Sequence, residues 1–260
     1  MDNDYPHSIN HLGQVIGRVL PNWVPPEFPL HQPLEGRFCL LEPLNVDKHA
    51  KDLFAANAQD GEGKNWTYLP YGPFSTFEEY RKWMVKVCIG SDPQFYAVIH
   101  KDSREAVGVA SYLRIAPGSG SIEVGHIHFS ERMKRRPTAT ESMFLMIKKV
   151  FELGYRRYEW KCDALNAGSC SAAQRLGLSF EGVFHQATVY KGRNRDTAWF
   201  AAVDADWPAL DQVFTQWLNP SNFDENGNQH RQLSKLTQPL LRNECRGFQA
   251  ANNPKIEPSY

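Results

Sequence analysis

KRRPTATE, residues 134–141, sets three cations beside a proline and a run of small residues where an apolar strand gives way to a helix. The first turn of a helix leaves about four backbone N–H groups unpartnered and carries about half a positive charge, so an anion is stabilised there. Nearby Lys and Arg strengthen such a site. Read alone, the octapeptide is more simply a solvated turn with a basic surface, and its flanks decide between the two.

Upstream, SIEVGHIHFS (121–130) reads as a strand, preceded by two more, QFYAVIH (94–100) and AVGVASYLRI (106–115). Turns carrying Asp102, Pro117 and Gly118 join them, which predicts an antiparallel meander. Downstream, TATESMFLMIKKVFELG (138–154) predicts a helix with Phe144, Ile147, Val150 and Phe151 on one side and Gly154 as its stop. YRRYEWKCDA (155–164) is the next strand. A short helix follows, started by Asn166 and ended by Gly177, and then two strands form a hairpin around Gly192 to Asn194. Further toward the N-terminus, RFCLLEPL (37–44) reads as a strand, and DKHAKDLFAANA (47–58) as a helix capped by Asp47. The loop WTYLPYGPF (66–74) leads to a second helix, whose opening STFEE predicts a capping box from Ser75 to Glu78. A meander followed by strand, helix and strand implies a mixed sheet with a crossover helix, its ligand lying at the carboxyl ends of the strands where the sheet splits.

The 260 residues are 42% apolar and 22% charged, an ordinary globular composition that suits one domain with extensions. Residues 1–35 are too proline-rich for a helix or central strand and should run extended over the surface, pinned by Trp23 and Phe28. Residues 36–206 hold the core. Residues 207–260 should form a helix and a polar tail, either disordered or loosely attached, with one short helix within Leu233 to Leu241. The 29 basic and 29 acidic residues cancel, which argues against a coat for nucleic acid or an anionic membrane. Five scattered cysteines give neither a disulfide framework nor zinc-ligand spacing, so a reducing compartment is expected. No apolar run approaches the ~20 residues of a membrane span, and no secretory pattern opens the chain. The cytoplasm is the expected location, with the nucleus as the other choice.

Three elements resemble the GCN5-related N-acetyltransferases, and within them the ribosomal-protein N-terminal acetyltransferases of the Rim type. IEVGHIHF followed by KRRPTATE is similar to that branch's ExG strand and RxxGxATE pyrophosphate loop, NAGS (166–169) to its NxxS element, and RLGLSFEGVF (175–184) to its RLGFxxEG signature. The resemblance covers Arg37 to Asp206. It implies an α+β fold with a mixed central sheet of about seven strands, splayed open and flanked by about four helices. It further implies acetyl-CoA as co-substrate, no metal, and direct transfer in a ternary complex to a small-molecule amine or a peptide N-terminus, by a monomer or homodimer. Three positions depart from the pattern: Lys134 replaces the loop's usual Gln or Arg, Pro137 its first glycine, and Leu178 the usual Phe. Pro137 has no N–H, so the amides of Arg135, Arg136, Thr138, Ala139 and Thr140 would serve the phosphates beside Lys134. That proline motivates a competing expectation, a non-catalytic acyl-CoA-binding or interaction module on the same fold.

Acetyl transfer needs a deprotonated amine, a polarised carbonyl, and a proton for the departing thiolate. Glu123 is the candidate base, its pKa raised by partial burial among Trp and Tyr side chains; the alternative is a carboxylate that only orients the acceptor. Carbonyl polarisation falls to a backbone N–H near His126 or Ile127. The resemblance places Ser169 near the CoA sulfur and Asn166 on the pantetheine amide, with helix capping as the plain alternative for both. His126 and His128 share a strand face without a third ligand, so packing is the simpler reading. Cys162 and Cys170 read as small buried side chains. Trp66, Tyr68, Tyr96, Trp160 and Phe184 are candidates for the acceptor pocket, with core packing as the alternative. KGRNRDTAW (191–199) is either a salt-bridged hairpin or a substrate rim.

Overall fold

The computed structural model describes residues 7–225 and 227–245. A small hairpin, β1 (His7–Ile9) with β2 (Val15–Gly17), stands apart from the main sheet. The main sheet has eight strands: β3 (Leu34–Glu35), β4 (Cys39–Pro43), β5 (Gln94–His100), β6 (Ala106–Ala116), β7 (Ser121–Phe129), β8 (Arg157–Asp163), β9 (Ser179–Tyr190) and β10 (Arg193–Val203). Their spatial order is β3-β4-β5-β6-β7-β8-β10-β9, antiparallel throughout except between β7 and β8. The meander and the crossover are as the sequence predicts, and the sheet gains one short edge strand.

Helices α1 (Val46–Asn57) and α2 (Phe77–Val87) cover one face, where Leu53, Trp66, Tyr80, Trp83 and Phe95 form an aromatic-rich core. On the other face lie α3 (Pro137–Glu152), α4 (Ala167–Arg175), α5 (Trp207–Trp217) and the short α6 (Leu233–Thr237). Met146, Ile147 and Val150 of α3 pack inward, while Phe144 and Phe151 stack on Trp207 of α5. That division of the predicted apolar stripe reflects two partners for one helix, the sheet and α5.

Several boundaries differ from expectation for identifiable reasons. Asn45, not Asp47, caps α1, its Oδ1 accepting from the Lys48 N–H, which leaves Asp47 in the first turn. The capping box of α2 runs from Thr76 to Glu79, one residue beyond the predicted Ser75–Glu78 pair. Both pairs fit the same spacing; the pair used places Tyr80, Trp83 and Met84 on the buried face.

Trp23 docks as predicted, beneath the Arg156 guanidinium, but Phe28 is exposed. The backbone does the pinning there instead: Tyr155 Oη donates to the Glu27 carbonyl and Gln94 Nε2 to the Pro29 carbonyl. The tail is also less free than expected through Cys245. Leu233 is fully buried, Arg242 N–H donates to Ser179 Oγ, and Phe180 N–H donates to the Asn243 carbonyl. Residues 246–260, the rest of the segment expected to be disordered, lie outside the described residues.

Two features of the fold shape the site. The parallel pairing of β7 with β8 ends at Val124 opposite Trp160, although both strands continue, so the sheet opens between them. On the other side of β7, Gly125 pairs with Ser111 and His128 with Val109, leaving His126 and Ile127 facing the single residue Ala110. His126 takes φ 51°, the left-handed conformation such a bulge demands. The bulge bends β7 away from β8 and turns the amides of His126 and Ile127 out of the regular ladder.

Candidate active site

The opening between β7 and β8 leads into a cavity of about 1360 Å³. One end is the start of α3, the other the β9–β10 hairpin. The cavity is roofed by the loop at residues 64–70. Lys191 Nζ donates to the Trp66 carbonyl at 2.8 Å and Arg193 Nη2 to the Thr67 carbonyl at 2.6 Å. Tyr68 Oη reaches the Leu165 carbonyl at 3.1 Å. The charged hairpin is therefore a strap on the roof; Asp196 within it also pairs with His185, and Arg195, Thr197 and Trp199 border the cavity. Lys191 and Gly192 both have positive φ, 49° and 70°, as a two-residue primed turn requires.

At the α3 end, Pro137 occupies the first helical position and no side chain caps the helix. A proline at that position removes an N–H that the helix would not have used. Arg136 N–H already donates to the Met133 carbonyl and Ala139 N–H to that of Arg136, so these two predicted donors are engaged. The amides of Arg135 and Thr138 make no hydrogen bond among the described residues. Arg135 has φ 60°, a left-handed turn that aims successive amides the same way, and the exposed side chains of Arg135 and Arg136 border the cavity. Lys134 is committed elsewhere, bonded to Glu131 at 2.7 Å and to Asn65 Oδ1. Thr138 and Thr140 are buried, and Thr140 Oγ1 accepts from Arg175 Nη1 at 3.0 Å, tying α4 to α3. Two amides and two guanidinium groups without partners among the described residues, at a helix start, suit a diphosphate.

The last residue of KRRPTATE has a different task. Glu141 is buried, and its carboxylate accepts backbone N–H groups from Arg37 at 2.7 Å, Phe38 at 2.6 Å and Cys39 at 2.9 Å. It clamps the start of β4 to α3. A Cβ on Gly36 would lie 2.4 Å from that carboxylate, so the clamp requires glycine there.

Glu123 is only 3% exposed and faces the cavity. The sequence predicted aromatic walls around it; the structure puts two cations there. Oε2 accepts from Arg114 Nη1 at 2.7 Å and from Lys161 Nζ at 2.8 Å, while Oε1 takes part in neither ion pair. Lys161 also holds Glu159 at 2.7 Å, and its ammonium sits 3.8 Å above the Trp199 ring. Glu159 in turn is bound by Arg157, which also grips Glu181. Three cations thus alternate with three carboxylates across β6, β7, β8 and β9. Arg114 and Lys161 escaped sequence reading because charges on an alternating strand look like a solvated face; the antiparallel register of β6 on β7 reveals the first and the parallel register of β8 on β7 the second.

On the α4 side, Asn166 caps the helix through Oδ1 and the Ser169 N–H. Ser169 Oγ accepts from Trp160 Nε1 at 2.9 Å. That bond uses an oxygen lone pair, so the hydroxyl keeps its proton to donate, with the Cys162 thiol as its neighbour. Trp160, Asn166 and Ser169 all border the cavity, together with Cys162, whose Sγ lies 3.6 Å from that of Cys170.

His126 and His128 belong to the aromatic core through their side chains. His126 Nδ1 pairs with Tyr71 Oη at 2.9 Å, and His128 stacks on Trp66 at 3.8 Å between centroids. Burial pushes both imidazoles down to a pKa of about 4, so both are neutral at pH 7. Among the described residues no three His, Cys, Asp or Glu side chains gather as metal ligands. Of the predicted pocket residues, Tyr68, Trp160 and Phe184 border the cavity, whereas Trp66 and Tyr96 do not. Trp66 lies under the roof among Tyr80, Trp83 and Phe74, and Tyr96 points to the opposite face of the sheet against Tyr112 and His31. Strand alternation makes that orientation of Tyr96 unavoidable once Phe95 faces α2.

Residues 39–179 match the family described as the acetyltransferase (GNAT) domain. Among solved structures, a GCN5-related N-acetyltransferase from Brucella melitensis is 45% identical, with TM-score 0.82, over 84% of this chain and 100% of that one. A GNAT-family protein from Chromobacterium violaceum is 40% identical, with TM-score 0.70, over 75% of this chain and 97% of that one. RimL, a ribosomal-protein alpha-N-acetyltransferase, shares the fold at 20% identity and TM-score 0.57, over 69% of this chain and 98% of that one. No curated protein matches the chain. No helix among the described residues is long and apolar enough to cross a membrane.

Proposed function

The chain belongs to the GNAT acetyltransferases, enzymes that take their acetyl group from acetyl-CoA, and on that footing we propose that it acetylates a primary amine by direct transfer in a ternary complex. The acceptor is a small-molecule amine or a peptide N-terminus. The observation that carries this reading is the single cavity that joins an unpartnered helix start, the β7 bulge and a buried carboxylate.

Arg135, Arg136 and the free amides beside them bind the diphosphate of acetyl-CoA. The open edge of β7 and the Asn166 side chain hold the pantetheine, much as a strand would add to a sheet edge. When bound, acetyl-CoA supplies the thioester whose C–S bond breaks as the new C–N bond forms. The amides of His126 and Ile127 hydrogen-bond the carbonyl oxygen as negative charge builds there. Glu123, through Oε1, takes the proton of the acceptor ammonium directly or by one water, while Arg114 and Lys161 fix the carboxylate in place. Ser169, its oxygen steadied by Trp160, donates its hydroxyl proton to the departing sulfur and is reprotonated by the second proton that the nitrogen sheds as the amide forms. Membership of the Rim-type branch would favour the peptide acceptor; the RLGLSFEG and NAGS motifs support it.

A thermal-shift titration with acetyl-CoA, followed by thiol release across a panel of amines and peptides, tests the proposal. Stabilisation and amine-dependent thiol release are expected. Stabilisation without turnover on any amine would contradict it.

A further inference from the structure

Strand β10 carries two donors that the scheme above does not use. Arg195, Thr197 and Trp199 border the cavity from alternate positions of the strand. Arg195 Nε and Trp199 Nε1 are both shut off from water without an acceptor. Arg195 makes no ion pair or hydrogen bond among the described residues; the Tyr190 ring lies 5.9 Å from the guanidinium, whose charge also acts on the Cys162 thiol. This contrasts with Arg114, Arg157 and Lys161, which are all paired.

Carboxylates close to Arg195 along the sheet are spoken for. Asp163 accepts from Tyr190 Oη at 2.7 Å and from the Leu165 N–H at 2.8 Å. Asp196 accepts from Gln186 N–H, Asn194 Nδ2 and His185. An unpaired cation and an unpartnered indole N–H on one cavity wall mark a place for an incoming acceptor of hydrogen bonds, and the cation selects a negative one. Phe184 lies flat against Trp199 at 4.5 Å between centroids and is 56% exposed. Its exposed ring covers one face of the indole and leaves the in-plane N–H direction to be met by a ligand. Trp199 also covers the ammonium of Lys161, which bonds Glu123. The wall therefore adjoins the carboxylate that receives the amine, at the end of the cavity away from α3.

We propose that the Arg195–Trp199 wall binds an oxyanion carried by the acceptor itself, so that the substrate class is an amine bearing a carboxylate or phosphate group. This rests on the acetyltransferase reading and narrows its acceptor.

The test compares kcat/KM on matched amines: an α-amino acid against its amide, O-phosphoethanolamine against ethanolamine, and a peptide beginning Ser-Asp against one beginning Ser-Asn. The first two pairs separate carboxylate from phosphate, and the third places the carboxylate on a peptide side chain. The anionic member of at least one pair should be favoured at least ~10-fold. Arg195→Gln should abolish that preference mainly through the acceptor KM, and Trp199→Phe, which keeps the ring over Lys161, should reduce it. Equal kcat/KM within every pair, or a preference that survives Arg195→Gln, overturns the inference while leaving acetyl transfer intact. Absence of transfer to every amine contradicts the proposed function and this inference with it.

Discussion

Lys161 Nζ lies 2.8 Å from Glu123 Oε2, joining β8 to β7 two residues beyond the pair Glu123–Glu159 that the parallel register sets side by side. The ammonium is nearly enclosed, with the Trp199 ring above it. Its removal would leave Glu123 anchored by the exposed Arg114 alone. Lys161→Met should therefore lower kcat about tenfold or more with little change in the acetyl-CoA KM, as steady-state kinetics on both substrates would reveal. An effect confined to the acetyl-CoA KM would refute the positioning role.

Ser169 accepts from Trp160, and in the proposed mechanism its own proton goes to the sulfur. Ser169→Ala should slow transfer ~10 to 100-fold while Trp160→Phe, which removes the supporting N–H together with part of a buried ring, slows it less. Equal turnover in Ser169→Ala and the wild type would take the acid role from this residue.

The α3 start predicts a different signature. Arg135→Ala combined with Arg136→Ala should raise the acetyl-CoA KM, each lost charge-assisted contact contributing about 1.5–3 kcal/mol, without altering the dependence of rate on acceptor. Pro137→Gly should tighten acetyl-CoA binding, since the N–H restored there is one that the helix leaves unused and the diphosphate can take. Isothermal titration with acetyl-CoA measures both.

Glu141 and Gly36 are expected to act on stability. Glu141→Ala strips three backbone donors of their acceptor and should destabilise the fold by about 3 kcal/mol. Gly36→Ala should also destabilise, because its Cβ would meet a carboxylate packed against backbone. Urea denaturation of each variant is the measurement.

Stability should also fall with pH in a window set by two histidines. Burial holds His126 and His128 at a pKa of about 4, below the ordinary 6.5, so below pH 6.5 the unfolded chain binds protons that the folded chain refuses. Their contribution is fully present above about pH 6.5 and is lost as pH falls toward 4, at about 1.4 kcal/mol per pH unit for each histidine. Denaturation midpoints between pH 6.5 and 4.5 should fall less steeply in His128→Gln than in the wild type.

Much of this was written in local sequence. Asn166 and Gly177 delimit α4 as read, because caps and stops depend on neighbouring residues only. The meander and the α3 crossover follow from alternation and from one long amphipathic run. What stayed hidden depends on register and distance along the chain. The Glu123 cations come from neighbouring strands, the Glu141 clamp reaches back about a hundred residues to Arg37, and Tyr96 was assigned to a pocket by its type although pleating turns it away. The roof over the cavity, held by Lys191 and Arg193 on carbonyls, carries no side-chain pattern that a sequence could display.

Steady-state thiol release by Glu123→Gln, beside the wild type and with acetyl-CoA binding measured separately, bears most directly on the central claim. A fall in kcat of ~100-fold or more at unchanged acetyl-CoA affinity is the predicted result. Turnover in Glu123→Gln equal to that of the wild type would contradict it.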